Sequence, residues 1–306
     1  MSETNETNTK KPGQIKRGLR LLLKLVLLFF VLSIGITIFY RFVPIPYTPL
    51  MFWRSTASIF TEKEFIGIEK KWVPIEDISK NMQESVIKAE DYKFYQHHGF
   101  DFEAIEKAMQ YNKTHKKKKG ASTISQQTAK NVFLWPSRSW LRKGMEAYFT
   151  VLIEVLWPKE RILEAYLNVI ELGKGVYGVE AAAQKFFKRP AKKLNASQAA
   201  LMAAVLPNPI RFRIDKPSRY ISSRQRKIMG RRAPTIASTF SASENSDKID
   251  IKSGQTPKEK SDEFFSLKFD SEDEVDGSSS SNKIQSAPDG DVSNTPSKDS
   301  NDNSND

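Results

Sequence analysis

The sequence predicts a mainly α-helical globular domain hung from one membrane-spanning helix, and three observations carry that reading. Leu25 to Tyr40 is a run of 16 residues without a charge. From about Trp72 to Arg232, apolar residues recur three and four positions apart, the spacing of one helix face. After Pro234 the chain turns to Ser, Asp, Asn, Lys and Pro, with too little apolar content to offset the entropy of ordering.

The elements follow in chain order. Residues 1–20 are polar and basic, with Lys10, Lys11, Lys16, Arg17 and Arg20. Residues 21–43 read as the anchor: Leu21–Leu23 extend the uncharged run to about the 20 residues a crossing needs, with Lys24 snorkelling to the headgroups. A cleaved signal peptide is disfavoured, because Arg41-Phe42-Val43-Pro44 offers no small-residue cleavage site. The positive-inside bias places the basic end in the cytoplasm and everything from about Val43 outside. Residues 44–71 read as a linker, 72–232 as the globular domain with short strands within 65–75, and 233–306 as a disordered acidic tail.

Within the domain, Asp101 is an expected N-cap before a stripe of Phe102, Ile105 and Met109, read as core. Met145, Tyr148, Phe149, Leu152 and Leu156 form a longer core stripe. Pro158 suits the first turn of a helix burying Ile162, Tyr166 and Ile170, and Asn195 is expected to cap another running through Leu206.

Charge narrows the function. Net charge is +12, but residues 233–306 carry −9, leaving +21 on 1–232. Such a surplus calls for a polyanionic neighbour: nucleic acid, an anionic membrane or a phosphorylated substrate. With no cysteine, thiolate catalysis and disulfides are excluded. His97, His98 and His115 show no metal-ligand spacing. Gly173, Gly175 and Gly178 match G-x-G-x-x-G, but they are expected to follow a helix, and position 198 is Gln where an acid is needed. Ser280-Ser281-Asn282-Lys283 matches S-x-x-K only within the tail.

The informative stretches are Ala89-Glu90-Asp91-Tyr92-Lys93-Phe94-Tyr95-Gln96-His97-His98-Gly99-Phe100-Asp101 and Gly120-Ala121-Ser122-Thr123-Ile124-Ser125-Gln126-Gln127-Thr128-Ala129-Lys130-Asn131. The first pairs two acids beside a helix end, a pattern that caps and solvated charge also produce. The second is rich in hydroxyl and amide donors suited to sugar hydroxyls and phosphate oxygens. Arg142-Lys143-x-x-Glu146 then opens the long helix, so Lys130, Arg138, Arg142 and Lys143 surround one acid in sequence.

In this order the segments resemble the first three motifs of the family-51 peptidoglycan glycosyltransferases. Lys159 to Asn168, running into the glycines and Val179–Ala183, resembles the fourth motif, and Leu194 to Pro209 the fifth. The resemblance covers about 72–215 and is greatest to the monofunctional enzymes, with Gln198 and Asn195 departing where Glu and Thr are usual. It implies a lysozyme-like helical domain with a small membrane-proximal lobe. It also implies polymerisation of lipid II onto a growing glycan, with inversion and release of undecaprenyl pyrophosphate. Glu90 would be the base and Glu146 would act on the donor side; Lys130 and Arg138 match phosphate-contacting positions, and Arg142 and Lys143 add cations there. Ser122, Thr123, Gln126 and Gln127 would line the substrate path and Asp91 would orient the site, with Glu164 and Asn168 weaker candidates. No cofactor is required by this reading, though a divalent cation, Mg or Mn, at the diphosphate is admitted. The expected partners are lipid II, the glycan chain, the membrane and other wall-building proteins, and not nucleic acid. Phe133, Leu134, Trp135 and Trp140 are read as lipid-touching or as core, and Lys116–Lys119 as a solvated or headgroup-facing run. A muramidase using the same carboxylates, or a non-catalytic wall-binding scaffold, is the competing reading.

Overall fold

The computed structural model describes residues 12–61, 65–116, 118–137 and 139–231, with the backbone alone at 12–15 and 61. Arg138, Lys117 and the acidic tail lie outside the described residues. The order is α1 (Pro12–Phe42), α2 (Pro49–Thr61), β1 (Glu69–Lys70), α3 (Lys80–Glu90), α4 (Phe102–Thr114), α5 (Ile124–Phe133), α6 (Trp140–Leu156), α7 (Lys159–Val169), β2 (Glu171–Gly173), β3 (Val176–Tyr177), α8 (Val179–Phe187), α9 (Ala196–Val205) and α10 (Arg219–Gly230). The domain is mainly helical, as expected.

Among the described residues, one helical span is long and apolar enough to cross a membrane, the 27 residues Lys16–Phe42 of α1. At 1.5 Å per residue it reaches about 40 Å, against a hydrocarbon layer of about 30 Å. Its C-terminal half is docked rather than loosely tethered. Ser33 Oγ lies 2.7 Å from Tyr148 Oη, and Phe29 and Phe30 pack on the Tyr148 ring. Trp157 Nε1 donates to the Thr37 carbonyl at 2.8 Å. The Arg161 guanidinium donates to the carbonyls of Tyr40 at 2.7 Å and Val43 at 2.6 Å.

Residues 44–71, expected as a linker, instead hold α2 and β1. The amphipathicity of α2 is inverted: Phe52, Trp53, Ile59 and Phe60 are exposed, while Ser55 and Ser58 turn inward with Met51. Ser55 Oγ donates to the Ile66 carbonyl and Ser58 Oγ accepts from Ile66 N, so the inward polar face is hydrogen-bonded. A search for apolar residues facing a core passes over such a helix. Lys70 Nζ ties the start of the segment down through the Ile45 and Pro46 carbonyls, and burial pulls its pKa to about 8.

The body is built around two packed groups, α5 between α6 and α7, and α9 between α3 and α10. Helix α9 is buried along Ala199, Ala200, Met202, Ala203, Ala204 and Val205. Its alanines keep the side chains short enough for α3 and α10 to approach from either side. The Met145–Leu156 stripe does meet the core, with Phe149 stacked on Phe133 at 4.4 Å. The α4 stripe does not: Phe102 and Met109 are 75% and 57% exposed, and the inward face is Ala104 and Ala108. Asp101 nevertheless caps α4, accepting from Ala104 N at 2.9 Å. Leu134 is buried while Trp140 is 92% exposed, so the aromatic segment around them divides between core and surface.

A three-stranded sheet, ordered β1-β3-β2, closes one side. β1 pairs parallel with β3, Glu69 opposite Val176, and β2 pairs antiparallel with β3, Glu171 opposite Tyr177. The strand within 65–75 was expected, but β2 between α7 and the glycines was not. Gly175 turns the hairpin at φ 73°, where a Cβ would lie 2.4 Å from the Gly67 carbonyl oxygen. These glycines therefore serve an antiparallel hairpin, not a parallel phosphate-binding unit.

Candidate active site

The first acid is placed by how α3 ends. Ser79 caps the start of the helix, Glu90 is its last residue, and Asp91 leaves it at φ −158°. The Asp91 carboxylate accepts from Ile124 N at 2.9 Å and from His97 Nε2 at 2.9 and 3.0 Å. His97 Nδ1 in turn accepts from Gly99 N at 3.2 Å, which holds the ring with Nε2 toward Asp91. Gly99, at φ 89°, lets this loop press on α6; a Cβ there would stand 2.8 Å from Thr150 Cγ2. Thr123 Oγ1 donates to the Gly99 carbonyl at 2.7 Å, fastening the loop to the head of α5. Asp91 thus ties the end of α3 to the head of α5 and to His97.

Glu90 is buried, at 7% exposure, yet has partners on both carboxylate oxygens. Gln127 Nε2 donates to Oε2 at 2.9 Å, and Tyr166 Oη donates to Gln127 Oε1 at 3.1 Å. Tyr166 is fully buried; burial first, then the charges of Glu90 and Asp91, push its phenol pKa well up, so it stays a donor. On the opposite side Arg224 Nη2 of α10 lies 3.5 Å from Oε1.

The second acid rises from α6. Ser139 caps that helix, accepting from Arg142 N, and sets Arg142, Lys143 and Glu146 on its first turns. Glu146, 3% exposed, accepts from Arg142 Nη1 at 2.7 Å and Lys143 Nζ at 2.5 Å. A buried carboxylate is stable only with such pairing. Lys130 stands on α5 three residues beyond Gln127, with no hydrogen bond or ion pair among the described residues. Burial lowers its pKa, and Arg142, Arg54 and Lys143 lower it further against the opposing pull of Glu146. A cation held this way gains strongly from an incoming anion.

Gln127, Lys130 and Arg142 line a cavity of about 600 Å³ whose walls also include Arg54, Trp135, Tyr166, Glu171 and Pro207. Through Gln127 the cavity touches the partner of Glu90, and through Arg142 the partner of Glu146. Its lining mixes cations and amides with apolar side chains and one acid, Glu171.

Of the residues read from sequence, the structure gathers Glu90, Asp91, Gln127, Lys130, Arg142, Lys143 and Glu146 around one centre. Thr123 and Gln126 are buried and form a capping box at the start of α5, so their polar atoms hold that helix in place. Ser122 sits half-buried just before the cap. Glu164 pairs with Arg161 at 2.6 Å, and Asn168 bonds the Val73 backbone, both structural roles. Asn195 and Gln198, the two departures in the last motif, form their own capping box. Sequence reasoning missed Arg54, Glu171 and Arg224 as neighbours of the site and read Tyr166 as core alone. Only Tyr166 carried a signal, a polar tip on an otherwise apolar helix face.

Residues 60–233 match the family described as Transglycosylase. The chain belongs to the transglycosylase family. A relative from Bdellovibrio bacteriovorus, named a biosynthetic peptidoglycan transglycosylase, is 62% identical over 253 residues, 83% of this chain and 94% of that protein. Proteins of the same name from Bacteroides thetaiotaomicron and Pasteurella multocida are 51% identical over 219 residues and 49% over 201. These alignments cover 72% and 66% of this chain, and 88% and 82% of the respective relatives. As a transglycosylase, the chain has the lysozyme-like helical domain that family membership implies.

Among the described residues no three His, Asp or Glu side chains converge as a metal site. Both Glu146 oxygens are taken by Arg142 and Lys143.

Proposed function

We propose that this transglycosylase polymerises lipid II into β-1,4-linked glycan strands with inversion, releasing undecaprenyl pyrophosphate, in bacterial cell-wall synthesis. The observation that carries it is the single cavity bordered by partners of two buried carboxylates and lined by three cations. Glu90, held by Gln127 and Arg224, takes the proton from the attacking sugar hydroxyl. That hydroxyl attacks the anomeric carbon of the growing chain from the face opposite the diphosphate. As the bond to the diphosphate breaks, its growing negative charge falls among Lys130, Arg142 and Lys143. Glu146 keeps Arg142 and Lys143 aimed there. Arg138, which matches a phosphate-contacting position of the family motif, is read as a further cation.

A pyrophosphate leaves without a proton, so no second acid in its protonated form is needed. A muramidase must protonate an alcohol leaving group, whereas Glu146 here is tied as a carboxylate between two cations. The docked helix α1 favours an anchor over a cleaved leader, because its loss would strip partners from Trp157 and Arg161. The basic N-terminus then lies in the cytoplasm, and the catalytic domain on the outer face of the inner membrane, where lipid II is presented.

The full chain, incubated with labelled lipid II, should yield polymer and undecaprenyl pyrophosphate. Fragmentation of finished glycan without polymer would favour the muramidase reading.

A further inference from the structure

The segment between anchor and domain brings a charge to the cavity that no motif of the catalytic domain supplies. Arg54 lies on α2, whose exposed face is Phe52, Trp53, Ile59 and Phe60. On a helix with its apolar face outward, Arg54 is the cation turned the other way, lining the cavity together with Lys130 and Arg142. In this state its guanidinium is paired with Glu171, at the start of β2. Both members of the pair also line a second cavity of about 310 Å³ between α2 and the sheet, so the pair forms a partition between the two. The side chain of Arg54 is 40% exposed and that of Glu171 9%, so the arginine is the partner with freedom to move.

We propose that Arg54 is a substrate-binding residue, exchanging Glu171 for the diphosphate of the donor and so making the membrane-proximal helix α2 part of the donor site. The proposal rests on the reading that this cavity holds the diphosphate. The geometry favours exchange over a fixed structural pair. The cavity already contains Lys130 without an ion-pair partner among the described residues, and burial together with the Arg54 charge weakens its hold on a proton. An anion entering there meets Lys130, Arg142 and Arg54 at once. Guanidinium pairs with phosphate oxygens in bidentate fashion, which suits a group that must hold the diphosphate and then release it as product. The same contact strengthens as negative charge grows on the leaving diphosphate, so it serves both binding and turnover.

The test uses the full chain in detergent with labelled lipid II, and undecaprenyl pyrophosphate as competing product. R54Q should raise the inhibition constant of undecaprenyl pyrophosphate about tenfold, a change of about 1.4 kcal/mol, and lower kcat/KM in step. R54K should recover part of that binding. E171Q, which frees Arg54, should tighten product inhibition. If R54Q melts lower but binds the product as wild type does, the pair is only structural and the proposal falls. Unchanged product inhibition in E171Q would also overturn it, and that arm stands even if R54Q fails to fold. K130A separates the two levels of the argument. Weakened product binding in K130A with none in R54Q removes Arg54 alone, whereas unaltered binding in K130A removes the donor-site reading itself.

Discussion

Arg224 Nη2 on α10 lies 3.5 Å from Glu90 Oε1 at the end of α3, and both side chains are buried. Arg224 also reaches the Ala89 carbonyl, so one guanidinium holds both the helix end and the acid it presents. Together with Gln127 it fixes the carboxylate from two sides. R224M keeps the apolar stem but drops the charge, and should cost about 1.5–3 kcal/mol of stability, the worth of a hydrogen bond to a charged group. It should also lower kcat about tenfold in protein that remains folded, because the base loses its orientation. A variant that melts lower but turns over at the wild-type rate would assign Arg224 to the fold alone.

Lys130 gives a pH signature. It acts as a cation, which is present below its pKa and lost as pH rises through it. Burial and the neighbouring cations lower that pKa, so the loss begins at a lower pH than for an ordinary lysine. The kcat/KM profile, which reports the free enzyme, should fall on the alkaline side. K130R should move this limb upward, since guanidinium keeps its charge, while lowering the plateau through altered geometry. An alkaline limb that stays in place in K130R would assign it to another group.

The anchor should contribute stability as well as proximity. A chain beginning at residue 37 retains the Thr37, Tyr40 and Val43 carbonyls that accept from Trp157 and Arg161, whereas one beginning at residue 44 retains none of them. Two of these acceptors serve a guanidinium, so the difference should be about 3 kcal/mol or more. For a domain of this size that is roughly 6–12 °C in Tm. Equal melting of the two truncations would show the docking to be without energetic weight.

The helical body and the acids were legible because they rest on local patterns. Asp101, Asn195 and the Met145–Leu156 stripe announce themselves through caps and periodicity, and Glu90, Lys130 and Glu146 through ordered motifs. What stayed hidden depends on distant packing. Arg224 reads as one basic residue among several on α10, and only the contact of α10 with α3 brings it to Glu90. The α4 stripe misled because large residues at helical spacing usually face the core, yet Ala104 and Ala108 make the contact. Helix α2 escaped notice because its apolar residues face outward. Thr123 and Gln126 sit within the right motif, but the backbone at the head of α5 needs their polar atoms.

Polymerisation of lipid II by E90Q tests the assignment of Glu90 as the base directly. Gln keeps the shape and can still accept from Gln127, but it cannot take a proton. Folded E90Q, verified by circular dichroism and an unchanged melting profile, should polymerise lipid II about 10²–10⁴ times more slowly, the usual effect of losing a general base. Its binding of undecaprenyl pyrophosphate should be close to that of wild type, because the donor cations are untouched. Polymerisation by E90Q at the wild-type rate would contradict the assignment and leave the proton to another group.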